Sequence, residues 1–129
     1  MIVVDTSALI AIAAKEVDWR AHLAAIEAAD RAVIGQVNFV ETGTVLVSRG
    51  YIDQSASLTD WLDAFAVTPY DAPHLGPDAL SAYLRYGKGR HPARLNLGDC
   101  FAYALAKALD APLLYKGDDF ARTDVRSAL

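Results

Sequence analysis

The stretch that most limits what this chain can fold into is its first seven residues, Met-Ile-Val-Val-Asp-Thr-Ser. Ile2, Val3 and Val4 are apolar and β-branched, and too few to make a helix. Such a run reads as a strand of a parallel sheet covered on both faces. Asp5 follows at once. Thr6 and Ser7 are good N-cap residues for a helix expected over 8–14. Asp5 therefore falls at the carboxyl end of a first strand, where open α/β sheets build their sites. A carboxylate there is rarely buried without a partner.

The rest of the chain repeats this alternation. Helical spacing of Trp19, His22, Leu23 and Ile26 predicts a helix over 19–29, and 32–34 reads as a short strand closed by Gly35. A helix over 38–48 is expected to end at Arg49-Gly50, with Gly50 as its cap. Residues 55–65 are helical by the spacing of Leu58, Trp61, Leu62 and Phe65. Residues 66–70 form a short strand. A helix over 73–86 turns Leu80 and Leu84 inward, and His22 and His74 are placed on helices as structural residues. An irregular, basic segment over 87–97 leads to a helix over 98–109. Strand 113–115 and a short polar tail complete the chain. Short strands separated by helices predict an α/β fold: one domain over 1–129, with a parallel central sheet of four to five strands and helices on both faces.

Bulk properties narrow the classes. At 53% hydrophobic residues the chain can fill a core. No apolar run reaches about 18 residues and no charged segment precedes a signal-like core, so a soluble, cytoplasmic protein is expected. The single cysteine, Cys100, excludes an intramolecular disulfide framework and a cysteine zinc cluster. Without a base near it, Cys100 reads as a packed helix residue. A net charge of −4 excludes a generally basic nucleic-acid binder. Contact with a polyanion must come from a local patch or through a metal.

The candidate chemistry lies in acids at the sheet edge: Asp5, Glu41, Asp99 and the pair Asp118/Asp119. Singly, each has a plain reading. Asn38-Phe-Val-Glu41 and Asn96-Leu-Gly-Asp99 both fit a capping-box pattern, and an acid in a first helical turn is favourable on dipole grounds alone. Together they mean more. Strand ends and the starts of following helices share one edge of a parallel sheet, and the loop before Asp99 can bring that residue to it. Carboxylates held close would raise one another's pKa unless a hard divalent cation resolved the conflict. Such a cation activates water and stabilises charge in phosphodiester hydrolysis. Just upstream of Asp99, Arg85, Lys88, Arg90, His91 and Arg94 crowd into ten residues with two glycines. They read as a solvated loop or as a phosphate-gripping one, which Lys116, Arg122 and Arg126 would extend. Tyr103, one turn after Asp99, either lines the cleft or packs.

Four segments in order resemble the PIN-domain ribonucleases, specifically the VapC toxins of bacterial toxin–antitoxin pairs. They are Met1-Ile-Val-Val-Asp-Thr-Ser-Ala-Leu, Asn38-Phe-Val-Glu-Thr, Leu95-Asn-Leu-Gly-Asp-Cys-Phe-Ala-Tyr-Ala-Leu-Ala and Leu113-Leu-Tyr-Lys-Gly-Asp-Asp-Phe-Ala-Arg-Thr-Asp. The resemblance covers essentially the whole chain. It implies a Mg²⁺-dependent endoribonuclease (Mn²⁺ the alternative metal) with Asp5, Glu41 and Asp99 as metal-site acids. Thr6 or Ser7 becomes a supporting hydroxyl and Asn38 a helper. Many PIN domains carry the fourth acid where this chain has Gly117. Asp119 takes that role by resemblance to one branch, with Asp118 beside it as the alternative and Asp124 within approach. The resemblance also implies a homodimer, larger toxin–antitoxin assemblies and a cognate VapB-type antitoxin. Apolar residues over 19–65, including Trp19, Tyr51 and Trp61, suit such a partner or an ordinary core. Three other readings compete: a structure-specific DNA nuclease, a phosphatase with Asp5 as nucleophile, and a degenerate nuclease fold that only binds. The short chain counts against the first, Ser7 against the second, and the intact acids against the third.

Overall fold

The computed structural model describes residues 1–129. Strands β1 (Ile2–Val4), β2 (Ala32–Gly35), β3 (Val67–Tyr70) and β4 (Leu113–Leu114) form one sheet of order β3-β2-β1-β4. Every pairing is parallel. The order reverses between β1 and β4, so the switch point of the sheet, where a crevice opens, lies directly above Asp5.

Six helices cover the sheet: α1 (Thr6–Ala13), α2 (Trp19–Ala28), α3 (Gln36–Ser48), α4 (Ser55–Ala64), α5 (Leu75–Tyr86) and α6 (Leu97–Ala108). The two-residue period of a strand divides the first apolar run between two cores. Val3, Val33 and Leu113 face α5 and α6. Ile2, Val4, Ile34, Val67 and Leu114 face the side that α1, α2, α3 and α4 close. Strands β1, β2 and β4 are therefore buried on both faces, while the edge strand β3 exposes Thr68 and Pro69.

Several boundaries differ from expectation for physical reasons. Asp5, rather than Thr6 or Ser7, caps α1, because its carboxylate accepts the backbone N–H of Ser7. Helix α3 begins two residues earlier than the sequence suggested, at Gln36, straight out of β2 with Gly35 as its cap. Asn38 is therefore inside the helix, and the capping box expected for Asn38 and Glu41 does not form. The box expected at Asn96 and Asp99 does form, with both reciprocal bonds present. Gly50, at φ +78, follows α3 in the left-handed conformation expected of a terminating glycine.

Leu80 and Leu84 point outward, 60% and 53% exposed, against the expectation that they face in. The face of α5 that packs on α6 is small, with Ala79 and Ala82 buried together with Tyr86. Helix α6 meets it with the small residues Cys100 and Ala104. His74 precedes α5 as its cap at φ +70 instead of lying on the helix. The tail is more than a polar turn: Ser127 bridges in parallel to Leu113, and Val125 is buried. No helix is long and apolar enough to cross a membrane.

Leu9 is fully buried and Val40 is 61% exposed. Leu9→Ala is expected to cost roughly 2–5 kcal/mol of unfolding free energy. Val40→Ala is expected to cost less than about 0.5 kcal/mol. Urea denaturation of the two variants beside the parent checks the difference.

Candidate active site

The site starts from Asp5, 2% exposed at the end of β1. One carboxylate oxygen, Oδ2, accepts the Ser7 backbone N–H at 3.0 Å and the Ser7 hydroxyl at 2.6 Å. Ser7 Oγ in turn accepts the backbone N–H of Lys116 at 2.9 Å, tying the start of α1 to the segment after β4. The other oxygen, Oδ1, is buried with no hydrogen-bond partner. An orphaned carboxylate oxygen is costly in a native interior and demands a reason. Burial foremost pushes the Asp5 pKa up to about 7, opposed by the Ser7 bonds and reinforced by the charges of Asp99 and Glu41.

Asp99 comes to the same edge through the loop before α6. Asn96 holds the helix start: its Oδ1 accepts the Asp99 N–H at 2.9 Å while Asp99 Oδ2 accepts the Asn96 N–H at 3.0 Å. Partial burial raises the Asp99 pKa to about 6. The Asn96 bond opposes that rise, and the Glu41 and Asp119 charges add to it.

Glu41 is set by Asn38 from one turn earlier on α3. Asn38 is 1% exposed, and its Nδ2 donates to the Gly98 carbonyl at 3.0 Å and to Glu41 Oε1 at 3.4 Å. Beneath it, the Thr42 hydroxyl donates to Thr6 Oγ1 and the Thr6 hydroxyl donates to the Asn38 carbonyl. This buried polar chain fastens α1 to α3. Ser7 and Asn38 thus hydrogen-bond directly to acids, whereas Thr6 bonds the Asn38 carbonyl and Thr42. Thr42, Gly98 and the Lys116 amide were not singled out from sequence. Only adjacency marked Thr42, which directly follows Glu41, and nothing in a sequence reveals a backbone amide.

Among the fourth-acid candidates, Asp119 stands near enough to raise the pKa of Asp99. Asp118 is exposed and makes no ion pair. Asp124 turns away from the acids: it accepts the Tyr103 hydroxyl at 2.5 Å and pairs with Lys107 and Arg85. Tyr103 accordingly packs and ties down the tail rather than lining the cleft. Cys100 is buried and its thiol is pushed up to about 11, an unreactive group.

The basic residues divide. Lys88, Arg90 and Arg94 are exposed and engage in no ion pair, although Arg90 Nε donates to the Leu84 carbonyl. Arg85 pairs with Asp124 and lies over the Tyr86 ring. Lys116 pairs with Glu16 at 3.3 Å. His91 packs edge-on to Tyr86 while its Nδ1 accepts the Ala93 N–H. Arg122 is exposed, and Arg126 is bound to Asp110. His22 is buried with its Nδ1 unpartnered and its pKa lowered by burial, in keeping with a structural role.

The acids suit a hard divalent cation. Burial and mutual repulsion hold protons on Asp5 and Asp99, and Asp5 Oδ1 lacks any other partner. No three His, Cys, Asp or Glu side chains close around one point as a ready-made cage.

The PIN domain family model matches residues 2–126. The chain belongs to the PIN-domain family, among the VapC proteins. It is 42% identical over 124 residues to VapC ribonuclease Mb0640 of Mycobacterium bovis, covering 95% of each chain. It is also 42% identical over 125 residues to ribonuclease VapC of Mycolicibacterium smegmatis, covering 95% of this chain and 96% of that one. Ribonuclease VapC42 of Mycobacterium tuberculosis is 39% identical over 129 residues, with 98% of each covered. The crystal structure of Mycobacterium tuberculosis VapC20, a sarcin-ricin loop cleaving toxin, superposes with a TM-score of 0.72. Its sequence identity is 17%, over 98% of this chain and 99% of that one. This likeness bears out the α/β parallel-sheet fold expected from sequence.

The raised Asp5 pKa makes stability depend on pH. The unfolded chain loses this proton near 3.8, and the folded protein near 7. Between those values the folded state binds more protons, so the stability of chelator-treated protein falls as pH rises from about 4 to about 7. The loss attributable to Asp5 is on the order of 4 kcal/mol. Denaturant midpoints across that range should decline in both proteins, less steeply in Asp5→Asn, where Asp99, raised to about 6, still contributes. His22, whose lowered pKa acts in the opposite direction, contributes equally to both proteins. Parallel profiles would contradict this assignment.

Proposed function

We propose that this chain is a Mg²⁺- or Mn²⁺-dependent endoribonuclease, the toxin of a VapBC-type pair. The observation that carries the reading is the buried, half-satisfied Asp5 carboxylate at the sheet's switch point, within electrostatic reach of Glu41 and Asp99. The 39–42% identity to proteins named VapC ribonucleases supports it. Asp5, Glu41, Asp99 and Asp119 would hold the cation between them, one or two directly and the others through its bound waters. Bound there, it would lower the pKa of a water and stabilise the charge that builds on a phosphodiester.

The chain's own residues do the rest. Ser7 occupies Asp5 Oδ2 and so leaves Oδ1 as the free oxygen. Asn38 orients Glu41, and the Asn96 box orients Asp99. Lys88, Arg90 and Arg94 carry free positive charge on the segment leading to Asp99, which suits them to grip the RNA backbone. Arg85, His91 and Lys116 would join them. The Arg85 ion pair is solvent-exposed and the Lys116 pair half-buried, and either can be exchanged for phosphate.

The partners follow the same reading. Phe39, Val40, Val47, Ile52 and Leu58 line a groove between α3 and α4. Of these, Val40 and Val47 are exposed. An apolar strip of this kind suits a VapB-type antitoxin. Trp19 and Trp61 are half-buried; Trp61 packs on Phe65 and the core, and Trp19 lies under the Arg20 guanidinium. Leu80, Tyr83, Leu84 and Leu97 form a second exposed apolar face, which supports a homodimer and, with antitoxin, larger assemblies.

Purified protein incubated with total RNA is expected to release defined fragments with Mg²⁺. Chelator should abolish the cleavage, and Asp99→Asn should reduce it by roughly 100-fold or more. Cleavage that survives both would refute the metal-dependent reading. RNA left intact by a folded parent that binds no metal would favour the binding-only alternative, whereas intact RNA with metal bound would point to a narrow target missing from the pool. Separately, Leu84→Asp is expected to shift the protein from dimer to monomer in sedimentation, with no loss of helical circular dichroism. A parent that already sediments as a monomer would contradict the dimer.

A further inference from the structure

Gly98 is buried between Asn38 and Glu41 at the start of α6. A Cβ built there would lie 2.6 Å from Glu41 Cδ, 2.7 Å from Oε1 and closer still to Oε2. A Cβ does not sit that close to a non-bonded heavy atom in a folded protein. The backbone at Gly98 is not in the left-handed region, so conformation does not demand glycine here. Its absent side chain is what lets Glu41 reach across from α3 to lie beside the residue preceding Asp99. The Gly98 carbonyl meanwhile receives the Asn38 amide that also donates to Glu41.

We infer that Gly98 is a positioning residue: the notch it leaves in α6 seats the Glu41 carboxylate for metal binding, and Asn38 locks the two helices around it. This inference rests on the metal-site reading above. It differs from a packing role in a way that can be measured. The crowding atoms belong to the far end of a flexible side chain, so Glu41 can swing out of the way of an added methyl and the fold survives. Alanine is also the better helix former, which favours the substituted helix. Gly98→Ala should therefore leave stability intact while Glu41 is displaced.

The test is Mn²⁺ binding, followed by electron paramagnetic resonance, together with thermal unfolding. The proteins are the parent, Gly98→Ala, Glu41→Ala and the double variant. Gly76→Ala, in α5 with nothing within 4 Å of the new methyl, serves as control. Gly98→Ala is expected to weaken Mn²⁺ binding by about tenfold or more with an unchanged or higher Tm. Gly76→Ala should bind as the parent does. Adding Gly98→Ala to Glu41→Ala should weaken binding no further, because the group it displaces is already gone. Parent-like binding by Gly98→Ala, or a double variant weaker than Glu41→Ala, would overturn the inference. If Gly98→Ala unfolds, a folded double variant still places the clash at Glu41 and supports the notch, whereas an unfolded double variant overturns it. A parent that binds no Mn²⁺ would remove the metal-site reading itself, a result distinct from intact binding in Gly98→Ala.

Discussion

The structure depends on one buried, underpaired carboxylate. Asp5 ends a strand that is apolar on both faces, and the sheet reverses its winding beside it. One of its oxygens is satisfied twice by Ser7 and the other not at all. Left alone, this group costs stability as soon as it ionises. Bringing Glu41 and Asp99 near makes ionisation harder still. A fold that collects such groups instead of dispersing them sets up a conflict that a divalent cation relieves. This accounts for the convergence of β1, α3, α6 and the segment after β4 on one edge.

The supporting architecture consists largely of devices that hold these acids. Ser7 joins the β1 end to the β4 end through the Lys116 amide. Thr6 and Thr42 pin α1 to α3, and Asn38 pins α3 to α6. The Asn96 box sets the first turn of α6. Apart from the Asn96 box, which is exposed and local to the start of α6, each is a short, buried or half-buried link between different elements, so the acids are held largely by the joints of the fold. At the far side, Tyr103 and Lys107 hold Asp124 and thereby anchor the segment that carries Asp119.

Much of this was legible in the sequence where local signals and global fold agree. Three β-branched residues ahead of Asp5 marked both the strand and the site. Asn96 and Asp99 announced their box because both bonds are made within four residues. The start of α3 was misread because Asn38 carries the same cap pattern, while β2 runs into the helix with no intervening loop. The inner face of α5 was misread for a related reason. Leu80 and Leu84 have core-like spacing, but α6 offers α5 the small residues Cys100 and Ala104, and Ala79 and Ala82 fit beside them at close range. Asp124 lay within the motif yet was claimed by Tyr103, a contact 21 residues distant in sequence. Gly98 was invisible as a site residue because its contribution is the absence of an atom, and only the placement of Glu41 reveals it.

The central claim, that the clustered carboxylates surrender protons to one divalent cation, is tested most directly by counting those protons. Calorimetric titration with Mn²⁺ in buffers of different ionisation enthalpy reports the number released on binding. With Asp5 near 7 and Asp99 near 6, at least about one proton should be released at pH 6, and release should fall towards none by pH 8.5. Binding without proton release at pH 6 would contradict the account.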